Sequence, residues 1–221
     1  MLSEHRTFSL VPSKRLEIDG FVEHELLPFY KKLDLNLIAA WYTLVGQEYE
    51  ETWIVAYQDL MHYARVQQTL STDSTAFHLK QRMNLFINSS QAKLMMPTKY
   101  SPLREIVEKR RLHSGKGRLY EQRIIDLVPG RRREIDEFVQ MRLLPLYRRH
   151  GVSLFAIWQT LIGKDQEETW IIVYDSLAEY SRIKEALAQD PEMHEIRHER
   201  NKLVASGHTK LLIPTRYSPV R

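Results

Sequence analysis

Leu37-Ile-Ala-Ala-Trp-Tyr-Thr-Leu-Val45 is followed, after a turn at Gly46, by Thr52-Trp-Ile-Val-Ala-Tyr57, and both runs return later in the chain. The second appearance reads Leu154-Phe-Ala-Ile-Trp-Gln-Thr-Leu-Ile162, then Gly163, then Thr169-Trp-Ile-Ile-Val-Tyr174. Short runs rich in β-branched and aromatic residues, separated by a glycine-containing turn, predict a β-hairpin. These runs are apolar on both faces, so the sheet they build needs helices on one side and a second sheet on the other. The repetition extends well beyond the hairpin. Shifting the chain by 117 positions lays Glu4–Arg104 on Glu121–Arg221 without a gap, about two residues in five being identical. Two copies are too few for a solenoid, which leaves two equal units packed on each other as a covalently fused dimer.

Working outward from the hairpin, each copy gives the order strand, helix, strand, strand, helix, strand. Residues 4–11 and 121–128 read as the first strand, ended by Pro12 and Pro129. Ile18, Phe21, Val22, Leu26 and Phe29, matched by Ile135, Phe138, Val139, Leu143 and Leu146, recur at the spacing of one helical face. Pro28 and Pro145 fall late in these helices, where they should kink or shorten the last turn. A second helical region runs over about 60–88, interrupted near Ser71–Ser74, with its equivalent interrupted at Asp190 and Pro191. The last strands are expected at Lys93–Met96 and Lys210–Ile213, each followed by Pro-Thr-(Lys/Arg)-Tyr-Ser-Pro. The order βαββαβ predicts an α+β fold of two ferredoxin-like halves, each a four-stranded antiparallel sheet with its helices on one face. The bare faces cover each other in an intramolecular α/β barrel. The expected units are 1–104 and 120–221, joined by a basic linker at 105–119 whose centre is Ser114, Gly115 and Gly117.

Composition excludes several classes of function. With 221 residues, 43% hydrophobic and 27% charged, the balance is that of a soluble globular protein. No apolar run approaches membrane-spanning length and the N-terminus has no signal-like apolar core, so a cytoplasmic protein without a membrane partner is expected. The absence of cysteine removes disulfides, thiolate ligands and a cysteine nucleophile. The net charge is +4, yet residues 104–133 hold ten Lys/Arg against four acids. Such a run is a solvated linker or an anion-binding patch; with Tyr120 as its one aromatic residue it argues against nucleic acid. No glycine-rich phosphate loop, Ser-His-Asp signature or Cys/His metal pattern is present, and no cofactor is expected. His194 and His198 stand four apart on a predicted helix, but their polar surroundings read as a solvated face.

Candidate site residues come from strand periodicity and from differences between the copies. Leu37, Ala39, Trp41 and Thr43 are unchanged in the second copy, whereas Ile38, Ala40 and Tyr42 become Phe155, Ile157 and Gln159. Strict alternation would put the changed residues on one face, a candidate ligand-facing surface. Arg6 and Arg123 lie two residues from Glu4 and Glu121 on a strand, so each either forms a structural ion pair or recognises a ligand carboxylate or phosphate. Tyr57 and Tyr174 share a strand face with Trp53 and Trp170, as packed phenols or as proton donors. His5 is confined to the first copy, where Gln122 is its equivalent. The first copy is therefore favoured for chemistry, with His5, Tyr42 and Tyr57 as catalytic candidates. Arg6, Trp41, Trp53, Arg123, Trp158, Trp170 and Tyr174 are the ligand-binding candidates.

The first-strand Glu-x-Arg, the Leu-Leu-Pro helix end at 26–28 and 143–145, the strand Trp followed by Gly (Trp41 and Gly46, Trp158 and Gly163), Trp-x-x-x-Tyr, and the closing Tyr-Ser-Pro together resemble the NIPSNAP family. That resemblance implies the dimeric α/β barrel superfamily in a tandem form. It implies no single chemistry, since relatives on this barrel include cofactor-free monooxygenases, haem-degrading enzymes, isomerases and stress-response binding proteins. The expected role is to bind, and to transform if it is an enzyme, a small hydrophobic or aromatic molecule in a cleft between sheet and helices. Cofactor-independent oxygenation or isomerisation is the expected reaction. The alternative is a non-enzymatic protein-interaction module, and further homo-oligomerisation of the fused pair stays open.

Overall fold

The computed structural model describes residues 1–108 and 118–220. In the first half, β1 (Leu2–Leu10) leads to α1 (Arg15–Phe21), a π-helical turn at Val22–Leu26 and α2 (Leu27–Lys32), which run as one continuous helix. The hairpin β2 (Asn36–Val45) and β3 (Glu50–Tyr57) follows, then α3 (Leu60–Thr72), α4 (Ser74–Met83), β4 (Ile87–Pro97) and α5 (Leu103–Glu108). The second half repeats the order with β5 (Leu119–Leu127), α6 (Arg132–Phe138), a π turn at Val139–Leu143, α7 (Leu144–Arg149), β6 (Ser153–Ile162) and β7 (Glu167–Tyr174). It ends in α8 (Leu177–Gln189), α9 (Pro191–Arg200) and β8 (Val204–Pro214).

Within each half the strands lie in the order expected of a βαββαβ sheet, β4-β1-β3-β2 and β8-β5-β7-β6, all antiparallel. The halves do not simply stack two open sheets. Their edges pair, β2 with β8 and β4 with β6, so the eight strands close into a barrel without free edges. One core cluster fills the interior with side chains from both copies, including Trp41, Ile54, Met95, Tyr120, Phe155, Trp158 and Leu212. Two further clusters lie between the outer face of each half-sheet and its own helices.

Several local features depart from the sequence expectation, each for a physical reason. Pro28 and Pro145 neither end nor shorten their helices. The wider turn just before each proline, where Leu27 N–H reaches Val22 O and Leu144 N–H reaches Val139 O, absorbs the missing donor, and the helix runs on to Lys32 and Arg149. The breaks at Asp73 and Asp190 are new helix starts, since each aspartate caps the following helix by accepting from the N–H of Ala76 or Glu192. Strands β4 and β8 begin six residues before the expected Lys93 and Lys210, because their polar first halves stay exposed and carry no apolar alternation. Leu103, placed ahead of the expected linker, is fully buried in the barrel core, as is Val220 at the equivalent place. The expected linker begins as α5, and its Ser114–Gly117 centre lies outside the described residues, as do Lys109, Arg110, Arg111 and Lys116.

The strand-face expectation needs the largest correction. The pairing of β2 with β3 slips between Leu37 and Ala39, a β-bulge that inserts Ile38 as an extra residue. Ile38, Ala39 and Trp41 consequently face the barrel core, while Leu37, Ala40 and Tyr42 face the helices. Neither the conserved nor the changed set is a single face.

Candidate functional site

Alternation along β1 separates residues that are adjacent in sequence. Ser3 and His5 point into the barrel, whereas Glu4, Arg6 and Phe8 point towards the helices. His5 is buried and lies 2.5 Å, Nε2 to Nε2, from Gln122, its own equivalent in the second copy. The two therefore meet on the pseudo-two-fold axis. On either side stand mirrored ion pairs between the copies: Lys93 with Glu167 at 2.5 Å and Thr169 at 2.7 Å, and Lys210 with Glu50 and Thr52. Burial and the charges of Lys93 and Lys210 hold the His5 imidazole well below its ordinary pKa, so it is neutral. Trp41 and Trp158 belong to the same interior, packed around Tyr120 and Phe155, with Trp158 Nε1 donating to Ser3 Oγ at 3.0 Å.

The remaining candidates gather on the helix side, in two equivalent clefts. In the first half, Arg6 and Trp53 line a cleft of about 290 Å³ between the sheet and α2, α3 and α4. Its floor is apolar, with Phe8 edge-on to Trp53 at 4.9 Å, and Phe29, Leu79 and Met83 forming walls. Arg6 is held by Glu4 at 2.5 Å, and Tyr57 donates to the other oxygen of Glu4 at 2.6 Å. Burial and the Glu4 charge push the Tyr57 phenol far above its ordinary pKa, so it stays protonated with its hydrogen bond already committed. Gln67, a residue that sequence reasoning passed over, also lines the cleft, and its side-chain amide nitrogen is buried without a hydrogen-bond partner. In the second half Arg123 and Trp170 line a larger cleft of about 420 Å³. There Tyr174 donates to Glu121 at 2.7 Å, and Arg123 bonds both Glu121 and Tyr147.

Tyr42 leads to a third group. Its hydroxyl donates to buried Asp19, and the guanidinium of Arg15 sits 3.7 Å over its ring. Next to it Glu51, fully buried, accepts a hydrogen bond from Tyr217 of the closing Tyr-Ser-Pro of the other copy. Burial raises the Glu51 carboxyl to about 8, against the opposing hydrogen bond from Tyr217 and the charge of Arg15. On the face of β3 towards the helices, Glu51, Trp53, Val55 and Tyr57 follow one another at alternate positions, so the acid adjoins the cleft floor. The equivalent site is wired differently. Arg132 binds Glu168 at 2.7 Å and Asp136 at 3.1 Å, while Tyr100 and Trp170 donate to Glu168. Gln159 stands where Tyr42 stands in the first half. Each of the three residues Glu51, Asp19 and Tyr217 had a signal in the sequence: Glu50-Glu-Thr-Trp53 returns unchanged as Glu167-Glu-Thr-Trp170, Asp19 returns as Asp136, and Tyr217 belongs to the closing Tyr-Ser-Pro.

The closing motif holds the copies together. Thr215 N–H donates to Ala40 O at 3.0 Å and Ser218 Oγ accepts from Ala40 N–H at 3.0 Å; Thr98 and Ser101 do the same at Ile157. Each cleft's acid is therefore stoppered by a tyrosine from the opposite half. Exposed His194 and His198 have no third ligand, since no cluster of three metal-binding side chains forms among the described residues. Nor is any helix there long and apolar enough to cross a membrane.

Comparison with known proteins agrees with this architecture. A candidate monooxygenase from Lactobacillus acidophilus superposes with a TM-score of 0.64 at 12% identity, covering 98% of this chain and 97% of that one. An anthrone oxidase-like protein gives a TM-score of 0.63 at 8% identity over 100% and 94% of the two chains. At such identities both show a shared fold and nothing more. A NIPSNAP-like domain protein from Burkholderia xenovorans is 26% identical and covers 46% of this chain and 89% of its own, with a TM-score of 0.43. No curated protein sequence matches significantly. The NIPSNAP family profile matches twice, over residues 3–102 and 120–219. With nearly its whole length so matched, and its two copies closed into one barrel, the chain belongs to the NIPSNAP family.

Proposed function

We propose that the protein binds a small hydrophobic or aromatic molecule in the sheet-helix cleft of its first half. The observation that carries this reading is the cleft of about 290 Å³ whose apolar floor of Phe8 and Trp53 is overlooked by Arg6 and the unpartnered amide of Gln67. An aromatic body would stack on that floor, and an oxygen on it would accept from the amide and the guanidinium. Catalysis goes one step further. Glu51, protonated up to about pH 8 and two positions before Trp53 on the same face of β3, is the candidate proton donor for isomerisation or cofactor-independent oxygenation of a confined molecule, although it does not itself line the cleft. Tyr42 and Tyr57 orient the neighbouring carboxylates and do not themselves ionise.

The test is native mass spectrometry of the protein purified from its own host, beside Ala76→Trp, which fills the cleft from α4. The expected result is an added mass of a hydrophobic or aromatic compound that vanishes on denaturation and is missing from the variant. A bare mass, together with no thermal stabilisation of the wild-type protein by a panel of small aromatic acids and phenols, would overturn the reading.

A further inference from the structure

The two clefts occupy equivalent places on equivalent sheets, yet their linings have diverged in one chemical direction. At the positions of Gln67, Met83 and Gln91 in the first half, the second half carries Lys184, Arg200 and His208, and all three line its cleft. Arg123 and Arg197 complete the set, so four permanent cations face the same space. Glu121 is the one carboxylate lining it, and it is already used: it accepts from Arg123 at 2.9 Å and from Lys184 at 2.7 Å. Arg197 and Arg200 make no ion pair among the described residues. Burial and the charge of Arg123 hold Lys184 below its ordinary pKa, against the opposing charge and hydrogen bond of Glu121. The first half shows that this fold does not require two of these charges, since Arg6 and Lys80 stand in its cleft at the positions of Arg123 and Arg197, while an amide and a thioether stand at those of Lys184 and Arg200. Like charges gathered in an open cleft without a structural need are the footprint of an anion.

We propose that the second half's cleft is a separate binding site for a small ligand carrying a doubly charged oxyanion on an apolar body. Arg200 and Arg197 at the mouth, with Lys184 and Arg123 deeper in, receive the oxyanion. Trp170, Leu143 and Ile196 take the body. The larger volume of this cleft, about 420 Å³ against about 290 Å³, leaves room for the head group. The fused chain thus carries two sites of unlike chemistry, one for a mostly neutral aromatic molecule and one for an anion.

Calorimetric titration of the whole protein with phenyl phosphate, phthalate and benzyl alcohol tests this. At least one dianion should bind with a stoichiometry of one and weaken steeply as salt is raised, while benzyl alcohol does not compete for it; which dianion binds more tightly identifies the head group. Lys184→Gln and Arg200→Met, which install the first half's residues, should each cost roughly tenfold in affinity. Arg200 is exposed, so its variant tests the site even if Lys184→Gln fails to fold. The reciprocal pair Gln67→Lys and Met83→Arg should raise the stoichiometry towards two. Failure of both dianions to bind, displacement by benzyl alcohol, or unchanged affinity in Arg200→Met would overturn the proposal.

Discussion

Glu51 and Glu168 sit at the same place in the same fold, between the same neighbours save one, and they differ in how their charge is met. Where Gln159 leaves space, Arg132 reaches Glu168 directly; where Tyr42 fills it, Arg15 rests on the tyrosine ring and Glu51 accepts from Tyr217. Burial raises both carboxyls above their ordinary value, and at Glu168 the directly bound Arg132 opposes that rise. The consequence for stability has a definite sign. Unfolding returns Glu51 from about 8 to its ordinary 4.5, so between these values the folded chain holds a proton that the unfolded chain gives up. Stability should therefore fall as pH rises from 4.5 to 8 and level off above. Glu51→Gln keeps an acceptor for Tyr217 and has no charge to bury. It should be more stable than the wild type at pH 8, by on the order of 2 kcal/mol, and nearly equal to it at pH 4.5. Urea midpoints measured across that range check both statements. Tyr42→Gln should let Arg15 take the position of Arg132 and flatten the same pH profile. A variant as pH-dependent as the wild type would show that the phenol is not the cause.

At the scale of elements, the barrel is closed where the β2-β3 hairpin turns beside β8. Gly46 has a φ of +138°, and a Cβ there would come within 3.0 Å of Lys210 Cβ across the seam between the copies. Gly46→Ala should cost roughly 1–3 kcal/mol by thermal unfolding, more than an average surface substitution. Lys93→Met should remove the charged partner of half-buried Glu167 and weaken the opposite seam, seen as faster amide exchange along β4 and β6. The order of these elements was legible in the sequence because it follows from periodicity, and the helix stripe from Ile18 to Phe29 is buried throughout. Less legible were features that arise where one element meets another. The bulge at Ile38 reverses the faces of β2 through pairing with β3, which no single strand announces. Ser89 to Gln91 form strand because β1 lies alongside, their own side chains being polar. The split of His5 from Arg6 follows from alternation alone, whereas Glu51 gains its meaning from Tyr217, 166 residues away.

At the scale of the whole molecule, each half presents the other with a sheet face that carries Trp41, Ile54 and Met95, or Phe155, Trp158 and Leu212, together with two unpaired strand edges. A half on its own cannot bury these. Residues 1–108 expressed alone should therefore associate, reading as a dimer by light scattering, and a monomer at micromolar concentration would contradict the seams described here. Mixed with residues 118–221, the same fragment should favour the unlike pair, because the ion pairs across the seams then coexist with the native contact between His5 and Gln122. That contact has a genealogical consequence. On a true two-fold axis a side chain can meet only its own copy, so an imidazole opposite an amide is a partnership closed to any self-assembling ancestor. Once histidine faced glutamine at the centre, either half pairing with itself would set like against like there, imidazole on imidazole or amide on amide.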